Sequence, residues 1–159
     1  MKNINQKDYE LIKDLYHWKI DTNDFKKKTD FKANFQELRS LLYSVKDCID
    51  EEGYNQFFNS ILWELPKRLS EKDYEALYQE FLLCNFHNEH ENIVSAFQTI
   101  FNNNTENIPI LLKAIDNIPE YLEDDDFKYP YIRKIIYAIG AQPQPESLLA
   151  LEKLASETN

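Results

Sequence analysis

The residues whose types and spacing come nearest to chemistry lie in the stretch CNFHNEHE, where Cys84, His87 and His90 recur at three-residue intervals and Glu91 follows. A thiolate, two imidazoles and a carboxylate are the donor types that zinc takes. No second ligand cluster completes a familiar zinc motif, however, and the HExxH arrangement is missing. The histidines therefore read as residues of an exposed helix junction, and no metal or other cofactor is expected. His17, beside Trp18, has no nucleophile near it in sequence and reads as a packed or surface histidine. The chain has no Gly-rich phosphate loop, nucleophile elbow or kinase-like set, and its two glycines leave little material for a phosphate cradle. Carboxylate pairs abound, but in so acidic a chain they discriminate nothing. The expectation is a protein that is not an enzyme; a metal-dependent hydrolase built on Cys84, His87 and His90 is the enzymatic alternative.

A second group suits binding. Glu123, Asp124, Asp125 and Asp126 form an unbroken acidic run beside Tyr121, Tyr129 and Tyr131. Rings next to carboxylates make an anchor-and-steering patch for a basic protein. Acidic residues also complement the macrodipole at a helix start, yet four in a row exceed what capping requires. Glu123, Asp124, Asp125, Asp126, Tyr129 and Tyr131 are accordingly the expected partner contacts. The basic cluster Lys26–Lys28, within the polar run from Asp21 to Thr29, reads instead as a solvated interhelical loop.

Charge narrows the partner. With 28 acidic against 18 basic residues the formal net charge is −10, which repels phosphate backbones and argues against nucleic acid. Cys48 and Cys84 are isolated thiols within helical patterns, consistent with a reducing compartment. The opening MKNINQKDYELIK lacks the apolar core of a signal peptide, and no stretch reaches the length of a membrane span. The expected setting is cytoplasmic, away from membranes.

The elements that must hold these residues are helical throughout. A hydrophobic fraction of 43% with two glycines favours long helices joined by short polar turns. Tyr9, Ile12, Tyr16 and Ile20 line one face of a first helix. Phe31, Phe35, Leu38, Leu42, Val45 and Ile49 line a second. Gly53 then punctuates, and Tyr54 to Leu65 make a third stripe ended by Pro66. Ser70 is placed to cap a fourth, and the tetrapeptide KDYE opens both the first helix (Lys7–Glu10) and the fourth (Lys72–Glu75). Beyond the polar stretch 85–92 come Ile93 to Phe101, a helix capped by Thr105, one started by Asp126 and Pro130 with Gly140 as left-handed cap, and a last helix facing inward through Leu148, Leu151 and Leu154. Eight helices in one domain, 1–159, are expected.

The two C-terminal helix pairs echo each other. A shift of 39 positions lays Ile93 on Ile132, Ile100 on Ile139 and Leu112 on Leu151. A period near forty in an all-helical pattern is the mark of a HEAT-type solenoid, so the expected fold is all-α, with antiparallel helix pairs stacked as a short HEAT-like α-solenoid.

The segment EYLEDDDFKYPYIRKIIYAIGAQPQPESLLALEKLA, within the stretch from about Asn92 to Asn159, resembles the HEAT-like immunity proteins of bacterial polymorphic toxin systems. It shares an acidic turn, an aliphatic helix closing in Ala-Ile-Gly, and a Pro-Glu start to a Leu-rich final helix. The resemblance implies a small acidic cytosolic inhibitor that binds and neutralises a cognate toxin, a nuclease being one candidate. A general HEAT-like scaffold or adaptor is the alternative, and the exposed aromatics would also serve a homodimer.

Overall fold

The computed structural model describes residues 4–157; the ends of the expected 1–159 span lie outside it. Among the described residues there are nine α-helices and no strand: α1 (Gln6–Tyr16), α2 (Thr22–Lys28), α3 (Phe35–Ser44), α4 (Tyr54–Trp63), α5 (Glu71–Leu82), α6 (His90–Thr99), α7 (Asn107–Asp116), α8 (Asp125–Gly140) and α9 (Glu146–Glu157). Two 3-10 turns, Val45–Cys48 and Glu120–Leu122, join them. The chain divides into two compact units, Met1–Leu77 and Tyr78–Asn159, with the boundary inside α5. No helix is long and apolar enough to cross a membrane among the described residues.

In the first unit the helix starts are written locally. Asn5 accepts from the Asp8 N–H, and Ser70 accepts from the Asp73 N–H while Asp73 accepts from the Ser70 N–H. Both KDYE copies thus sit in one register, with the cap two residues ahead of the lysine. Two full capping boxes open α2 (Asp21 with Asp24) and α3 (Asn34 with Glu37), each satisfying donors that the helix leaves orphaned. α1 and α3 pack against α4, and α1 also packs against α2. The core formed includes Ile12, Leu15, Phe25, Leu38, Leu42, Phe58 and Ile61.

Four expectations fail here, each for a tertiary or geometric reason. The run from Asp21 to Thr29 is a capped helix rather than a solvated loop, because Phe25 gives it one fully buried anchor. Phe31 lies outside α3, with its ring edge on Phe25 at 6.5 Å. Ile20 lies beyond α1, which ends in a Schellman turn: Trp18 N–H donates to Leu15 O and Lys19 N–H to Asp14 O. Trp18 takes the left-handed position itself, with φ 61°. Ile49 follows the 3-10 turn and is exposed.

In the second unit α8 is the hub, packing against α6, α7 and α9. The 39-residue echo does not carry through to burial. Ile93 is buried but Ile132 only half so, and Ile100 is 63% exposed while Ile139 is fully buried. Only Leu112 and Leu151 match, both half-buried. Gly140 is a helical residue of α8 and not a left-handed cap. Thr105 does not cap α7; Asn104 instead accepts from the Glu106 N–H. Pro130 sits inside α8 rather than at its start. On α9, Leu151 and Leu154 are half-buried as expected, but Leu148 and Leu149 are exposed and Ser147 is buried in their place.

If α2 is a packed helix, Phe25→Ala leaves a cavity costing about 3–5 kcal/mol, measurable as a lower urea midpoint. A cost within about 0.5 kcal/mol would return this segment to the status of a surface loop.

Candidate functional site

α5 ends at Leu82, and the chain must turn before α6 without a glycine anywhere between them. The last carbonyls of any helix lack intrahelical donors; here the Leu83 and Cys84 N–H groups donate to Glu80 O and Phe81 O, and two imidazoles add bonds to Phe81 O and to Cys84 O just past the helix. His87 Nε2–H donates to Phe81 O at 2.7 Å, while its Nδ1 accepts from the Glu89 N–H at 3.0 Å. His90 Nε2–H donates to Cys84 O at 2.6 Å, and its Nδ1 accepts from the Tyr121 hydroxyl at 2.9 Å. These partners fix each ring as the neutral Nε2–H tautomer. The two rings stack 4.1 Å apart and 6° from parallel, a placement that suits two uncharged imidazoles.

This corrects the expectation of an exposed junction, since His87 and His90 are both buried. Burial first, then the neighbouring His90, lowers the His87 pKa to about 3. Burial likewise lowers that of His90. As potential zinc ligands the four residues are dispersed into separate duties. Each imidazole has one lone-pair nitrogen, and both accept hydrogen bonds. The Cys84 thiol faces the Glu80 carbonyl at 3.5 Å, and Glu91 lies 3.6 Å from the Lys134 ammonium. Among the described residues no group of three or more His, Cys, Asp or Glu is placed to hold a metal ion. His17 is exposed at the end of α1, packed edge-on against Phe57 at 4.9 Å.

Tyr121 connects this buried cluster to the acidic run. It belongs to the 3-10 turn Glu120–Leu122, with its hydroxyl on His90 and its ring 40% exposed. Burial raises its pKa, keeping the hydroxyl protonated as donor. The next residues, Glu123, Asp124, Asp125 and Asp126, are all exposed. Asp124 caps α8 by accepting from the Asp126 N–H at 2.9 Å, and Asp125 and Asp126 occupy the positive end of the helix dipole. Glu123 lies ahead of the cap.

The flanking rings divide. Tyr129 is 56% exposed and carries the Lys128 ammonium 5.4 Å from its centroid. Tyr131 is fully buried, its ring edge-on to His90 at 6.4 Å, so it cannot meet a partner as expected. Two residues further along α8 its Cβ has turned through about 200°, which carries it from the outer face into the core. Phe127, which the sequence reading passed over, is 57% exposed directly after the acidic run. The signal for it was present: an apolar ring among first-turn acids at a helix start has no inward neighbour to recruit it. Arg133 and Tyr137 extend the outer face from Tyr129 at i+4 and i+8, and both are exposed.

Comparison of the chain with protein-family models, curated proteins and solved structures finds no match.

The Tyr131 hydroxyl is buried without a hydrogen-bond partner. Leaving such a group unsatisfied costs about 1–3 kcal/mol, so Tyr131→Phe is expected to hold or raise the thermal midpoint. A marked fall would show that the hydroxyl is used. The histidines give a pH signature. His87 protonates near pH 6.5 when unfolded but only near pH 3 when folded, so the unfolded chain holds more protons between these limits. Its stabilising contribution is complete above that upper limit and declines as pH falls, by about 1.4 kcal/mol per pH unit. Urea unfolding at about pH 7.5 and about pH 5 should show this loss, and His87→Gln should reduce its slope. An identical slope in that variant would assign the loss to other groups.

Proposed function

We propose that this protein is a non-enzymatic immunity protein that binds and neutralises a cognate bacterial toxin through the exposed acidic and aromatic surface at the start of α8. The observation that carries the reading is one patch: Glu123, Asp124, Asp125 and Asp126 exposed beside Tyr121, Phe127 and Tyr129. Carboxylates steer a basic partner and speed encounter, while rigid rings bury apolar area at low entropic cost. A toxin whose active cleft is basic, as a nuclease's must be to hold phosphates, would meet this surface at the place where its substrate binds. Occupation would then exclude the substrate. α8 packs against α6, α7 and α9, and the proposed HEAT-like reading of the second unit rests on the α8–α9 pair and on α8 as hub rather than on a packed α6–α7 pair. In this reading the stack presents the patch, the protein acts in the cytoplasm, and no cofactor takes part.

A pull-down from native cells with the full chain as bait tests the identity of the partner. A stoichiometric basic protein carrying a toxin domain supports the proposal; recovery of varied adaptor clients points to the scaffold alternative. With that partner in hand, Asp125→Lys with Asp126→Lys should slow association about tenfold or more at low salt, and the deficit should shrink as salt screens it. Asp124 is left in place because it caps the helix. Tyr129→Ala should speed dissociation, and unchanged rates in both variants would remove this patch from the interface.

A further inference from the structure

The Lys26–Lys28 cluster, expected to be only solvated, contributes to a cationic surface of the first unit. A groove of about 670 Å³ is lined by Lys26, Thr29, Asp30, Phe31, Lys32, Pro66 and Arg68. The segments that carry Lys32, Pro66 and Arg68 are joined by a short bridge, in which Ala33 N–H donates to Pro66 O at 2.9 Å and Arg68 N–H donates to Ala33 O at 2.8 Å. This bridge brings Lys32 and Arg68, far apart in sequence, to one rim, and the C-terminal turn of α2 adds Lys26. None of these three cations has an ion-pair partner among the described residues. Asp30 is the single carboxylate on the lining.

A second groove, of about 330 Å³, shares Lys26 and Pro66 with the first and continues past Trp63, Lys67 and Tyr74, with Glu64 the one carboxylate on its lining. The Lys67 ammonium is half-buried there, donating to Leu65 O at 2.7 Å. Trp63 is 42% exposed. The two grooves together form one trough in which Lys26, Lys32, Lys67 and Arg68 outnumber Asp30 and Glu64, with Phe31, Pro66 and Trp63 along its length. We propose that this trough binds an extended acidic peptide segment of a protein partner, its carboxylates on Lys26, Lys32 and Arg68 and an apolar side chain against Phe31, Pro66 or Trp63.

Charge complementarity selects this occupant. The chain as a whole carries −10 and repels an acidic segment over most of its surface, which makes this basic trough a specific address. A compact anion would satisfy the cations but leave the apolar lining uncovered, whereas an extended chain covers both. The site is independent of the acidic patch on α8 and does not rest on the toxin reading.

Panning a random phage-displayed peptide library on the immobilised full chain tests the proposal. Enriched peptides should carry clustered Asp or Glu beside an aromatic or aliphatic residue. In fluorescence anisotropy the selected peptide should bind about tenfold or more weakly to the K26E/R68E variant, and K113E, outside both grooves, should bind as the unchanged chain does. Absence of enrichment, enrichment of neutral or basic peptides, or undiminished binding to K26E/R68E would overturn it. Should charge reversal unfold the chain by circular dichroism, K26Q/R68Q gives the same reading. Inorganic pyrophosphate that binds the trough in the absence of any selected peptide would assign it to small anions and likewise overturn the proposal.

Discussion

Much of the second unit depends on how a chain with two glycines ends its helices. A helix leaves its last carbonyls without intrahelical donors, and the usual remedy is a left-handed glycine just beyond it. Neither glycine serves that purpose: Gly53 is left-handed but precedes α4, and Gly140 is helical. Side chains from other segments take over. His87 and His90 donate to Phe81 in the last turn of α5 and to Cys84 just beyond it. Gln142, following α8, donates to Phe97 and Phe101 at the end of α6, and Asn107 of α7 also donates to Phe101. The histidine and Asn107 bonds bridge six residues across a turn, while the Gln142 bonds tie the end of α6 to a segment 41 to 45 residues away, so there local termination and tertiary packing become one event.

That arrangement explains why polar residues sit in the core of a helical unit. Gln142 and Asn107 are buried, yet their amides are engaged on both sides, Asn107 Oδ1 accepting from Gln79 and Gln142 Oε1 from the Asn104 N–H. Buried polar groups are tolerable when paired and expensive when not. The stacked histidines follow the same logic, remaining neutral because charge there would be both desolvated and opposed. Their chemistry is therefore spent on structure. Through Tyr121 the same network fixes the turn that precedes α8, and with it the direction in which the acidic run faces.

The surface chemistry separates by sign. Acidic residues at the start of α8 lie over a helix N-terminus, where the dipole favours them, and their side chains remain in water. Basic residues of the first unit gather at the end of α2 and along the Ala33–Lys67 bridge. The first arrangement suits a basic partner and the second an acidic one. A net charge alone, averaged over the chain, conceals the second.

Much of the secondary structure was legible in the residues. Apolar spacing marked the bodies of α1, α3, α4, α5, α6 and α8, and Asn34, Ser70 and Asp124 occupy cap positions whose partners lie within three residues. Such features are local, so sequence contains both halves of each interaction. α2 was missed because its pattern holds one apolar residue, Phe25, whose burial depends on helices elsewhere in the chain. The acidic run was legible as exposed, but the outward and inward fates of Tyr129 and Tyr131 were not, since two positions on a helix reverse direction only relative to a neighbour. The histidines were the sharpest divergence: they read as an exposed junction, and only the tertiary structure enclosed them and gave every ring nitrogen a partner, one of them from the Glu120–Leu122 turn. Composition and periodicity determined that this chain would be helical, acidic and poor in glycine; tertiary structure decided which polar groups were enclosed, because satisfying a buried donor or acceptor requires a group brought from elsewhere in the fold.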